Sequence, residues 1–234
     1  MRPVERLLGE VVRANNAVVR RSEAPVANPR LLDGVVWHEQ LVRSWPDIRS
    51  EWDAFRSAGG RLPRIEDLLG EHQGNSEVWA AGLLVAGGRP VGPHPARFPQ
   101  TVRALTVVPG LRSALWSVLA PGAVLPEHRG PNAGVLRYHL GVVCPAGATL
   151  SVAGHEVPYS DGAGILFDDT VAHSAVNRAT AERVTLFCEI ERPLGVPGRW
   201  LNAAVQRALG FDRRYRSAPE RAVAWDRAMN PGLD

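Results

Sequence analysis

Apolar and polar residues alternate along this chain with two different periods, and the change of period divides it. From Pro3 to Arg21 the apolar positions Val4, Leu7, Leu8, Val11, Val12 and Val18 recur at threes and fours with charges on the other side, which predicts an amphipathic helix. A second helical pattern covers 38–57 through Leu41, Trp45, Ile48, Trp52 and Phe55, and Gly59-Gly60 stops it. Trp45 and Trp52 are read as core anchors of that helix. Beyond Gly74 short apolar runs are cut by Pro-Gly, Gly-Gly and Asp-Gly pairs, the punctuation of many short antiparallel strands. Strands are predicted over 78–86, 114–120, 135–143, 148–153, 163–168 and 183–190. Helical spacing returns over 199–210 through Trp200, Leu201, Ala204, Val205 and Leu209.

Helices wrapped around punctuated strands predict a mainly β fold with flanking helices. The expected form is a double-stranded β-helix, a jelly-roll or cupin-like barrel, although a sandwich shares the composition. With no internal repeat and no long linker, residues 1–234 are expected to form a single domain. Within it, 1–75 is a helical flank, 76–194 the barrel and 195–234 a helical extension.

Composition narrows the chemistry. The hydrophobic content of 45% is enough for a full core. All 27 basic residues are arginine, which excludes a Schiff-base lysine and any lysine-dependent phosphate loop. The formal charge is +3 and the arginines are scattered among acids, so no nucleic-acid partner is expected. The tail DRRYR (212–216) reads as a solvated helix face. Cys144 and Cys188 are the only cysteines, expected as reduced thiols in a cytoplasmic protein. No run of about 18 apolar residues suggests stable membrane insertion, and no pattern specifies an oligomeric state.

Polar residues on apolar strands carry the candidate chemistry. In GVLRYHLGV (134–142), Arg137 and His139 share one face while Leu136, Tyr138, Leu140 and Val142 share the other. The polar pair either faces solvent or stands in the barrel interior, where it would need an anion or a metal-bound ligand. RVTLFCEI (183–190) repeats the alternation with Arg183 and Thr185 on one side. His128 in EHRG and His173 in FDDTVAHSAVNR (167–178) are the candidate metal ligands. Neutral imidazoles suit Fe(II), and a carboxylate two residues after the first histidine usually completes the set. Gly130 stands there instead, an apparent opening for water or a halide. FDDT reads as a turn ahead of His173. Asn177 and Arg178 either orient His173 or continue that turn. Trp79 reads as packing, and His38, His72, His94 and His155 as solvated.

The stretches SVLAPGAVLPEHRGP (117–131), LRYHLGVV (136–143), ILFDDTVAHSAVN (165–177) and RVTLFCEIERPL (183–194) resemble, in order and spacing, the aspartyl/asparaginyl β-hydroxylase family of Fe(II)- and 2-oxoglutarate-dependent dioxygenases. WPDIRSEWDAF (45–55) looks like that family's entry helix. The resemblance implies that His128 and His173 bind iron and that Gly130 is the family's own glycine. It also implies that Arg183, helped by Ser117, clamps the distal carboxylate of 2-oxoglutarate, and that Arg137 and His139 lie near its metal-bound end. O2 would be the oxidant, and succinate and CO2 would be released. The implied substrate is an aspartyl or asparaginyl β-carbon in a small molecule, a peptide or a carrier-bound amino acid, with Arg89, Arg97 or Arg129 available for its carboxylate. Alternatives are an acyl-chain hydroxylase of the same family, a halogenase using Gly130 and a non-enzymatic cupin-like binding protein.

Overall fold

Side-chain alternation on three long strands dictates the architecture. The computed structural model describes residues 3–22, 32–70, 78–196, 198–209 and 213–233. Its major sheet is antiparallel, in the order β2 (Arg89–Pro90), β1 (Trp79–Ala86), β3 (Leu111–Leu119), β10 (Arg183–Glu191), β5 (Val135–Val143), β8 (Gly164–Phe167). The minor sheet runs β4 (Val124–His128), β9 (His173–Asn177), β6 (Ala148–Val152), β7 (His155–Pro158). Together they form the expected double-stranded β-helix.

The even-numbered residues of β3, β5 and β10 face outward yet are not solvated. Trp116, Tyr138, Leu140, Leu186 and Cys188 are buried there beneath α2 (Val36–Arg43), α3 (Trp45–Ser57) and α6 (Pro99–Leu105). Trp52 of α3 and Phe98 lie 5.1 and 5.4 Å from the Trp116 ring centroid. Such aromatics each bury some 150–250 Å² and dominate a core of this kind. Trp52 is thus the core anchor read from the sequence, and Trp45 packs partly buried beside it. A second apolar cluster fills the space between the sheets, with Leu119, Ile165 and Phe167 from one side meeting Leu150, Val152 and Ala175 from the other. Over the stretches between the bulges, the odd-numbered residues of the same strands lie on the opposite face, toward the barrel interior, while Leu111 and Val143 pack with the outer cluster. Ser117, Arg137, His139, Arg183 and Thr185 therefore face inward, and the solvent-facing alternative for Arg137 and His139 is excluded.

Several boundaries differ from expectation for local reasons. The pattern over 38–57 is two helices, split at Ser44, because Pro46 has no N–H to continue the ladder from α2. Four strands escaped the sequence reading: β2, β4, β7 and β9. Each has five residues or fewer, and β2, β4 and β7 are mostly exposed, so they lack the buried apolar run that marks the equally short β6 and β8. The short helices α4 (Ile65–Leu69) and α5 (His94–Arg97) were missed likewise, as was the longer α6. In the C-terminal region α7 (Gly198–Leu209) packs on α1 (Pro3–Ser22), and α8 (Arg213–Met229) packs on β1 and α4. Among the described residues no helix is long and apolar enough to cross a membrane. Both cysteines are free thiols.

Candidate active site

Two of the four strands missing from the sequence reading, β4 and β9, carry the two histidines. His128 ends β4, His173 opens β9, and antiparallel register makes them direct partners. Their ring centroids are 4.1 Å apart. Each Nδ1 faces a carbonyl two residues earlier, Pro126 O at 2.8 Å for His128 and Val171 O at 2.9 Å for His173. A carbonyl only accepts, so both Nδ1 atoms carry protons and both Nε2 lone pairs are left uncommitted. Backbone partners of this kind fix the tautomer of metal-binding histidines. Burial pushes the His173 pKa below its ordinary value, which keeps the ring neutral and able to ligate. Among the described residues no third His, Cys, Asp or Glu completes a cluster of three.

Gly130 explains part of that. A Cβ on Gly130 would run into the carboxylate of Asp169, which takes the space a side chain there would need. The Gly130 N–H donates to Asp169 O at 2.6 Å, and Asp169 Oδ2 accepts from Arg137 Nε at 2.8 Å. Asp169 Oδ1 is buried without a partner. The two aspartates of FDDT therefore do different work. Asp168 shapes the turn, accepting from the Thr170 N–H at 2.9 Å and hydroxyl at 2.7 Å and pairing with buried Arg192. Asp169 turns toward Gly130. Reading both as turn formers missed this, since the pair Gly130/Asp169 is separated by 39 positions and no local signal marks it.

Behind the histidines a cluster of buried polar side chains lies on the inner face of the major sheet. Arg183 is 2% exposed, and among the described residues no carboxylate pairs with it. Nη1 donates to Thr185 Oγ1 at 2.7 Å and to Ser117 O at 3.4 Å, the guanidinium lies 4.8 Å from the Tyr159 ring centroid, and Nε has no acceptor. Ser117 Oγ accepts from Trp79 Nε1 at 3.0 Å, which leaves its own proton to donate. Trp79 is therefore more than packing. His139 Nδ1 and the Tyr159 hydroxyl are hydrogen-bonded at 2.9 Å. Burial pushes the Tyr159 phenol up to about 12, so it stays protonated. His139 Nε2 is buried without a partner. Burial, with Arg183 next, holds the His139 pKa well below its ordinary value. A buried guanidinium with an unmet Nε–H and a buried imidazole nitrogen without a partner are costly to leave so.

Other residues land elsewhere than expected. Arg137 lies on the same inner face, but Nε is taken by Asp169 and Nη1 by Glu189 at 2.9 Å, with Phe187 beneath it. Arg97 is not at the mouth: it is buried against Asp226 and donates to Leu233 O, tying α5 to α8. Arg129 stays exposed beside the histidines and donates to Thr170 O at 3.2 Å, and Arg89 is exposed on the edge strand β2. Asn177 ties β9 to Leu119 O and Ala120 O instead of orienting His173, while Arg178 pairs with exposed Glu156. His94 is buried against Leu83 O and His38 is bonded to the Tyr138 hydroxyl at 2.9 Å, so neither is solvated. His155 is exposed, and His72 lies outside the described residues.

A double-stranded β-helix with paired histidines at one end and a buried arginine inside is a cupin-type barrel. The sequence profile described as "Aspartyl/Asparaginyl beta-hydroxylase" matches residues 42–193, and the chain belongs to that family of hydroxylases. Ornithine lipid ester-linked acyl 2-hydroxylase of Rhizobium tropici is 28% identical over 211 residues, 87% of this chain and 75% of that protein. Human aspartate beta-hydroxylase domain-containing protein 2 is 34% identical over 166 residues, 66% of this chain but only 44% of its own length. A solved structure of a DMSP lyase from Ruegeria pomeroyi is similar at a TM-score of 0.42 and 13% identity, over 75% of this chain and 71% of that one.

Two outcomes follow from this geometry. Gly130→Asp is expected not to add a ligand but to collide with Asp169, costing about 1–3 kcal/mol, the usual penalty for overpacking. Thermal unfolding should show it, with the double change Gly130→Asp/Asp169→Gly recovering most of the loss. The second concerns pH. His38, His94, His139 and His173 all have folded pKa values depressed by burial, so below their unfolded value near 6.5 the unfolded chain binds more protons. Stability should be full above about pH 6.5 and fall as pH drops through 6 and 5, at up to ~1.4 kcal/mol per pH unit for each histidine. Urea titrations across that range should show the slope, shallower in His94→Asn.

Proposed function

We propose that this protein is an Fe(II)- and 2-oxoglutarate-dependent dioxygenase that hydroxylates an unactivated C–H bond. The observation that carries the reading is Arg183, buried with no counter-ion among the described residues and an unmet Nε, on the same inner wall as His139 Nε2 and behind two paired histidines. That donor set suits a small dicarboxylate next to a metal. Fe(II), 2-oxoglutarate and O2 together would supply oxidative decarboxylation to succinate and CO2, coupled to hydroxylation of the substrate.

The chain's own residues divide the task. His128 and His173 hold the iron through Nε2. Arg183 grips the distal carboxylate, for which a guanidinium offers two parallel charge-assisted hydrogen bonds. Ser117 adds a hydroxyl donor. His139, kept neutral by burial, donates from Nε2 near the metal-bound end. Arg137 serves that end by holding Asp169 against Gly130. Tyr159 braces both Arg183 and His139. A halide beside the iron is disfavoured, because the space at Gly130 already faces a carboxylate.

The first substrate reading is the β-carbon of an aspartyl or asparaginyl group in a small molecule, peptide or carrier-bound amino acid. A second, acyl-chain hydroxylation, draws support from the likeness to the R. tropici protein, which covers 211 residues and so reaches beyond residues 42–193 into the flanking helices.

Anaerobic Fe(II) titration of the purified protein is expected to give one site, lost in His128→Ala and in His173→Ala. Arg183→Ala should raise the 2-oxoglutarate concentration for half-maximal succinate release on the order of a hundredfold, as expected for a charge-assisted pair, and leave Fe(II) affinity unchanged. Retention of iron by either histidine variant would overturn the ligand assignment. Absence of succinate with every acidic, peptidyl and acyl substrate would favour a binding protein instead.

A further inference from the structure

Helix α7 is built inside out. Its buried positions are Gly198, Asn202, Val205 and Gln206, and the two amides sit in a polar network. Asn202 Nδ2 donates to Gly134 O at 2.9 Å, Gln206 Nε2 donates to Asn202 Oδ1 at 3.1 Å, and Asn15 of α1 donates to the same oxygen at 2.9 Å. Its outer face has the opposite character. Trp200 is 67% and Leu201 42% exposed, with Val196 at 62% just ahead of the helix. Trp200, Ala204 and Arg207 follow one another at helical spacing on the side away from Asn202 and Gln206, and all three are exposed. In a water-facing helix the amides belong outside and the tryptophan inside.

The charge on this face is of one sign. Residues 192–211 contain no acid, and Arg199 and Arg207 are the exposed charges of the helix. Arg199 lies 5.6 Å from the Trp200 ring centroid. An aromatic with an apolar body and a polar N–H, next to leucine and flanked by arginines, fits the boundary between lipid headgroups and acyl chains, where arginine stems lie on apolar surface and their heads meet phosphate. A purely apolar protein groove would leave both guanidinium groups uncompensated.

We propose that the outer face of α7, centred on Trp200 and Leu201 and flanked by Arg199 and Arg207, docks this protein on an anionic lipid surface. The inner face of the same helix holds the segment that follows His128. Asn132 donates to Gln206 Oε1 at 3.1 Å, the Gly134 N–H donates to Asn132 Oδ1 at 3.0 Å, and a Cβ on Gly134 would strike Asn202. A docked α7 therefore sets the chain next to the histidine pair close to the lipid surface. The proposal does not depend on the hydroxylase reading, since docking is measured without turnover.

The test is co-sedimentation of the full chain with phosphatidylcholine vesicles, with and without about 30 mol % phosphatidylglycerol. Expected are binding to the anionic vesicles only, weakening with salt, and a loss of roughly tenfold or more in Trp200→Ala/Leu201→Ser. Arg199→Glu/Arg207→Glu should abolish binding while thermal unfolding stays at the wild-type temperature. Light scattering should show no dimer that the Trp200/Leu201 variant dissolves. The proposal is overturned by absence of sedimentation, by binding that ignores lipid charge, by an unaffected Trp200/Leu201 variant, or by such a dimer, which would make a second copy the occupant.

Discussion

A guanidinium sealed inside a β barrel, with no carboxylate paired to it among the described residues, is the constraint around which the candidate site is organised. Arg183 stays in place because β10 is the central strand of the major sheet, hydrogen-bonded to β3 on one side and β5 on the other. Removing a charge from water costs several kcal/mol unless partners replace the lost solvation. Here Thr185 Oγ1, Ser117 O and the Tyr159 ring replace only part of it. Arg183 Nε is left without an acceptor, and His139 Nε2 is a second unpartnered atom on the same wall.

That arrangement rests on the other face of the sheet. Polar residues at odd positions of β3, β5 and β10 are tolerable because the even positions bury Trp116, Tyr138, Leu140 and Leu186 under three helices. Apolar burial there, at about 25 cal/mol per Å², offsets a wall that would not hold itself together. Tyr138 shows how closely the two faces are matched. Its ring belongs to the apolar side and its hydroxyl is bonded to His38 of α2, while its neighbours Arg137 and His139 point into the barrel.

Alternation on long strands is legible in a sequence, so β5 and β10, with Arg137, His139 and Arg183, were visible at once. The resemblance to the hydroxylase family supplied His128 and His173, but nothing local announced β4 and β9, which hold them. β4 is mostly exposed and contains Pro126, and β9 has five residues. Their pairing is a property of register between segments 45 positions apart. Partners distant in the chain also hid the roles of His94, Arg97 and Asp169. His94 meets the Leu83 carbonyl across a helix-strand contact, and Arg97 reaches Asp226 from 129 positions away. A histidine or arginine in a polar-looking stretch reads as solvated until its acceptor is known.

Gly130 shows how a missing residue can be as specific as a present one. From the sequence it is a gap in a ligand set; in the fold it is the clearance Asp169 requires. The carboxylate there is held by Arg137, which also pairs with Glu189, so one guanidinium is shared between two carboxylates. One Asp169 oxygen stays without a donor, and a buried carboxylate oxygen is costly to leave so. The segment carrying Gly130 is in turn fastened on its far side, where Asn16 donates to Pro131 O at 2.7 Å and Arg192 donates to Ala133 O at 2.7 Å. Helices α1 and α7 and the Asp168–Arg192 pair thus converge on the few residues that join His128 to β5. Through them the flanking helices set the position of the carboxylate that stands where a third ligand is absent.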